Sequence, residues 1–145
     1  MGIRPSSRFS YALKALVDLA VHQSTGPVTI ASIAKRQSIP ARSLEQLFNR
    51  LRRSGLIEAE RGPRGGYSLS RPAAKIPVRA VFEALEPKAL SPKQKLSADD
   101  PARSVWRQVE SAVKTTLDAT TLEGLAAQMR EKVAAPMKHR YTFHI

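Results

Sequence analysis

Cysteine is missing altogether from this chain. Without sulfur there are no disulfides, no thiolate nucleophile, no thiol redox sensor and no thiolate ligand for an iron-sulfur cluster, although the absence says little about compartment. Apolar runs are short as well. None reaches the roughly eighteen residues of a membrane-spanning helix, and the N-terminus lacks the hydrophobic stretch of a signal peptide, so the protein is expected to remain cytoplasmic. There is no glycine-rich phosphate loop followed by Lys-Ser and no His-x-x-x-His pair. His22, His139 and His144 are scattered, and each is better explained as a lone surface histidine than as a metal ligand. No catalytic residue, no metal ligand and no cofactor is therefore assigned, and an enzyme is the most remote function class.

What the chain does carry is positive charge in one half. Its 145 residues are 42% apolar, enough for one modest core plus an element that needs a partner. Lysine and arginine number 24 against 12 acidic residues. Residues 1–75 hold 13 basic and 4 acidic side chains, whereas the remainder holds 11 and 8. The excess is concentrated where a phosphate-binding surface would need it.

Within that half, Thr29 can cap a short helix whose inward residues are Ile30, Ile33 and Ala34. The helix should end near Ser38, because Pro40 disfavours helical geometry at Ile39. Pro40 suits the first position of a second helix over Ala41 to Ser54. There Leu44, Leu47, Phe48 and Leu51 share one face, while Arg42, Gln46, Asn49, Arg50 and Arg53 share the other. Gly55 is a natural stop. Two helices joined by so short a turn form the unit that places its second helix in a DNA major groove. Leu56 to Glu60 and Gly66 to Ser70 then read as strands around Arg61-Gly62-Pro63-Arg64-Gly65, a hairpin tip that projects two arginines. The expected fold class is mainly α with a small β-wing: a winged helix-turn-helix domain followed by a long helix.

Arg42, Ser43 and Gln46 lie in the first turns of the second helix, which approach base edges; arginine can bond guanine and glutamine adenine in bidentate fashion. Glu45 could accept from a cytosine amino group or simply orient a neighbouring arginine. Arg50, Arg53 and Arg64 suit phosphates, and Arg61 suits a narrow minor groove. Thr29, Gly65 and Tyr67 complete the expected DNA-binding set.

Tyr11-Ala12-Leu13 with Leu16 to Ala20, Leu44-Glu45-Gln46-Leu47-Phe48, Leu51-Arg52-Arg53-Ser54-Gly55-Leu56 and Arg61-Gly62-Pro63-Arg64-Gly65-Gly66-Tyr67 together resemble the Rrf2 family of bacterial regulators. Val78 to Glu86 resembles that family's linking helix, and Ala102 to Asp118 its dimerisation helix. The resemblance implies that Ser7 and Arg8, just ahead of the first helix, contact phosphate, though an exposed helix start explains them too. It departs from the family in two places. Ala41-Arg42-Ser43 stands where many members have Leu-Ser-Tyr. The loop from Pro87 to Asp100 lacks the three cysteines that ligate a cluster in many members and offers only Asp99 and Asp100, while Arg8 and Ala12 occupy the approximate places of the Glu and His ligands of some relatives. Iron-sulfur sensing is accordingly rejected. The C-terminal tail Tyr141-Thr142-Phe143-His144-Ile145 and the segment Leu117 to Glu123 are similar to a cysteine-free branch that controls cysteine metabolism through cysteine synthase. That implies a protein or small-molecule effector, cysteine synthase among them.

Downstream, Pro101 can start a helix in which Val105, Val109, Val113 and Leu117 recur every fourth residue, with Trp106 and Ala112 beside them. The stripe is either buried within its own chain or paired with a second copy. Pairing is preferred, because the head already has a core and a twofold dimer matches a palindromic operator. Leu122, Leu125, Ala126 and Met129 predict a further short helix, and beyond it the aromatic tail is expected to fold back on a neighbour. The chain divides into a head at 1–75, a linking helix and polar loop at 76–100, and a dimerisation helix with tail at 101–145. The function expected is a homodimeric regulator, more a repressor than an activator, bound to double-stranded DNA; the alternative is a non-specific architectural DNA- or RNA-binding protein.

Overall fold

The computed structural model describes residues 6–89 and 95–143, with side chains up to residue 132. Among them run α1 (Ser7–His22), α2 (Ile30–Gln37), α3 (Ala41–Arg53), β1 (Ile57–Glu60), β2 (Gly66–Leu69), α4 (Val78–Leu85), α5 (Pro101–Asp118) and α6 (Leu122–Phe143). The expected mixture of helices and one small antiparallel hairpin is what forms.

Local chemistry sets the boundaries. Ser6 caps α1 by accepting from the Phe9 N–H at 3.1 Å, so Ser7 and Arg8 lie inside the first turn rather than ahead of it as expected. Thr29 caps α2, accepting from Ser32 N–H at 3.2 Å. That helix ends where Ser38 adopts left-handed geometry at φ 54°, and Ile39 N–H closes back onto the Ala34 carbonyl at 3.1 Å. Pro40 occupies the capping position of α3, one place earlier than expected, because Ala41 is the first residue with helical pairing. At the far end Gly55, with φ 77°, lets its own N–H reach Arg52 O and the Leu56 N–H reach Leu51 O, both at 3.0 Å. This Schellman closure sends the chain sharply into β1.

One core gathers the helices. Ala12, Ala15, Leu16 and Leu19 from α1 meet Ile33 of α2, the Leu44, Leu47, Phe48 and Leu51 face of α3, and Ile57 and Leu69 from the root of the hairpin. Fully burying each large apolar side chain contributes about 1.5–3 kcal/mol against leaving it in water, before conformational entropy is subtracted. The rings of Phe48 and Tyr67 meet edge to face at 4.9 Å. Tyr67 also exchanges backbone hydrogen bonds with Val28, at 2.8 and 2.9 Å. The hairpin is thus fixed to both α3 and the segment before α2.

The C-terminal helices attach differently. Val78 N–H donates to Thr120 O at 2.8 Å and Leu122 N–H to Ile76 O at 2.9 Å, while Arg79 reaches Asp118 at 2.9 Å and Glu83 at 2.7 Å. Leu122 and Ala126 of α6 enter the core against α1. The short helix expected from Leu122, Leu125, Ala126 and Met129 in fact runs on to Phe143, so the backbone of the aromatic tail is helical as far as that residue; His144 and Ile145 lie outside the described residues. The helix outruns that expectation because Ala135 to Arg140 lacks an apolar stripe in the sequence, and loss of a stripe does not forbid helix. Helix α5 is capped by Asp100, which accepts from Ala102 N–H at 2.9 Å, with Pro101 at the first position as expected. It contains no buried residue. Val105 is 58% exposed, Ala112 is exposed, and Trp106, Val109, Val113 and Leu117 are half-buried.

Candidate nucleic-acid interface

The apolar face of α3 is locked into the core, and this leaves its opposite face no choice but solvent. Arg42, Glu45, Gln46, Asn49 and Arg53 are exposed there, and Ser43 and Arg50 are half-buried at its edge. Beyond β1, Arg61 and Arg64 are exposed on the hairpin turn. A side chain at Gly65 would bring its Cβ to 2.5 Å from Glu60 O, so this glycine is required by the tightness of the turn. Tyr67 packs inward on Phe48, and the Thr29 hydroxyl is occupied as a cap.

Two expected contacts sit where the head is tied to α4. Arg50 donates to the Leu85 carbonyl at 3.4 Å, and Arg8 lies 3.6 Å from the Glu86 carboxylate, which also accepts from the Ser6 hydroxyl. Phe9 and Phe82 stack edge to face at 5.6 Å across the same seam. Glu86 was not singled out in the sequence, because its partners are about eighty residues away.

A second unforeseen group is Asp18, the one buried charged residue among those described. Its carboxylate accepts from Arg36 Nε at 2.9 Å and Nη2 at 2.6 Å and from Gln37 Nε2 at 3.0 Å, and His22 Nδ1 lies 3.5 Å away. Burial pushes this carboxyl up, but the hydrogen bonds from Arg36 and Gln37, with the charges of Arg36 and His22, outweigh it and hold the group below its ordinary 3.8. The link ties the last turn of α2 to α1. An acid within the apolar run Leu16-Val17-Asp18-Leu19 was the available signal. Because the folded value is depressed, the stabilisation is present above pH 3.8 and is lost as pH falls through the folded value. Asp18→Asn is expected to destabilise the head by about 1–3 kcal/mol at neutral pH in urea titrations, and to make stability less steep below pH 4. Unchanged stability would show that Arg36 and Gln37 need no anion.

Three packed helices, with a cationic, amide-rich face on the third and a basic hairpin beside it, define a winged helix-turn-helix DNA-binding protein. The comparisons agree. The Rrf2 model, described as an iron-dependent transcriptional regulator, matches residues 5–128. The chain belongs to the Rrf2 family of transcriptional regulators. It is 36% identical over 129 residues to the HTH-type transcriptional regulator IscR of Xenorhabdus nematophila, covering 85% of this chain and 79% of that protein. The fold is similar to that of T. potens IscR, with TM-score 0.76 and 35% identity over 91% of this chain and 92% of the other. It is similar also to CymR (YrzC), the global cysteine regulator of B. subtilis, with TM-score 0.75 and 35% identity over 88% and 98%. These proteins are regulators rather than enzymes.

The family description raises iron, and the donor set here does not fit it. The chain has no cysteine, and among the described residues no group of three His, Cys, Asp or Glu side chains could hold a metal ion. Asp99 and Asp100 flank the start of α5, where Asp100 is already used as a cap. No described helix is long and apolar enough to cross a membrane.

Proposed function

We propose that the protein is a homodimeric, cytoplasmic, sequence-specific repressor. Each head places α3 in a major groove of a palindromic operator and lays its wing against the neighbouring backbone or minor groove. The observation that carries this reading is paired. The polar face of α3 and the wing arginines are both exposed, and α5 keeps a long apolar stripe in which no residue is fully buried. A helical stripe with Val105 exposed and its other large apolar residues only half-buried suits a partner surface, and a second copy would close it symmetrically. A dimer seated over two successive grooves blocks other proteins from that stretch, which is the simplest regulatory outcome. Similarity to a cysteine regulator makes cysteine metabolism the first place to seek target genes and an effector.

Selection from random duplexes, followed by competition titration at fixed salt, tests the reading. A palindrome preferred over random duplex by about a thousandfold or more supports it. Equal affinity for both would instead identify an architectural nucleic-acid binder, whose attraction is to phosphate alone. We further expect the purified protein to lack stoichiometric iron and its DNA affinity to be indifferent to oxygen and nitric oxide. A visible absorption band accompanied by bound iron would refute a cluster-free regulator.

A further inference from the structure

Beside the recognition helix lies a pocket of about 380 Å³, walled by the first turns of α1 and one edge of α3. Its walls are mostly apolar, formed by Tyr11 and Leu47, with Ser43 and Gln46 supplying polar points and Arg8 and Arg50 lining it as well. The size falls within the range of small-molecule sites, and so does this mixture of apolar wall with a few placed polar groups. The two guanidinium groups approach consecutive residues, Arg50 at the Leu85 carbonyl and Arg8 at the Glu86 carboxylate. Among the described residues they share one carboxylate, that of Glu86, and neither contact is short. The mouth of the pocket is therefore cationic, half-exposed at Arg50 and more exposed at Arg8, and an arginine fork favours a planar or tetrahedral oxyanion.

We propose that this pocket binds a small aryl anion, an aromatic ring bearing a phosphate or carboxylate, and that the occupied pocket excludes DNA. The ring would lie between Tyr11 and Leu47. Its anionic group would engage Arg8 and Arg50 in place of their contacts to α4. Exclusion rests on the proposed DNA face, since Ser43, Gln46 and Arg50 belong to both surfaces. It also gives α4 a part in control: Glu86 competes with the ligand for Arg8, so whatever shifts the end of α4 shifts the affinity of the pocket.

Phenyl phosphate, inorganic phosphate and phenol, titrated into the isotopically labelled full-length protein, separate the contributions of ring and charge. Phenyl phosphate is expected to perturb Arg8, Tyr11, Gln46 and Arg50 with Kd near 1 mM, and the other two probes to bind about tenfold more weakly. Glu86→Gln should tighten phenyl phosphate several-fold, and Arg50→Gln should weaken it about tenfold. In a second arm, saturating phenyl phosphate should weaken DNA binding at constant ionic strength about tenfold more than equimolar phenol. Absence of any perturbation at about 10 mM, with normal DNA binding, overturns the pocket and leaves the DNA reading intact. Binding to the free protein without displacement of DNA overturns the exclusion, and with it the placement of duplex on this face.

Discussion

Val109→Asp is expected to convert the proposed dimer into monomers and to weaken operator binding at least tenfold. Val109 lies midway along α5, half-buried, between the exposed Val105 and the half-buried Val113. In the proposed dimer a carboxylate there would enter an apolar seam. An unpaired buried charge costs several kcal/mol, which is comparable to the margin holding a modest helical interface. Each separated head would keep Arg42, Arg53 and Arg64 for phosphates, but the second half-site would no longer be reached at high effective concentration. Sedimentation and operator titration should fail together, while circular dichroism of the helices persists. A Val109→Asp protein that stays dimeric and binds normally would mean that α5 meets only its own subunit, through α4, and the proposed assembly would have to be discarded.

Short-range patterns made most of the head legible. The Thr29 cap, the stop near Ser38, the Leu44, Leu47, Phe48 and Leu51 face and the Gly55 exit all follow from spacing and backbone preference over a few residues, and each lies where expected. The two strands are each one residue shorter than expected, at Leu56 and Ser70, although Ser70 N–H still donates to Leu56 O at 3.0 Å, so the difference is one of boundary assignment. What escaped was long-range. Asp18 meets Arg36 and Gln37 across two helices, and Glu86 meets Ser6 and Arg8 across nearly the whole head, so no local pattern announces either. The long α6 escaped for another reason: among its described side chains the buried ones, Leu122 and Ala126, lie in the first turns, and the sequence beyond Met129 carries no apolar stripe to mark a helix. For the candidate interface the sequence supplied the residues, and the structure supplied their division into exposed groups, caps and groups held by α4.

Specificity is where the wing and the recognition helix should part company. Arg61 follows the last residue of β1 and is exposed at the start of the turn, where a side chain can reach past the backbone into a minor groove. Arg53 ends α3; its Nε donates to Asn49 O at 3.4 Å, and its exposed guanidinium is suited to a phosphate. Arg61→Ala is therefore expected to weaken operator binding by about 1–3 kcal/mol and random duplex by much less, because a narrow A·T groove attracts arginine only where the sequence provides it. Arg53→Ala should weaken every duplex alike and lower the salt slope by about one. Both side chains are exposed, so stability should change by no more than about 0.5 kcal/mol and folding cannot account for the difference. Parallel titrations on operator and random duplex, at several salt concentrations, decide the matter. Equal losses on both DNAs for both substitutions would reduce the wing to a phosphate clamp, leaving the reading of sequence to Arg42, Ser43 and Gln46 on α3.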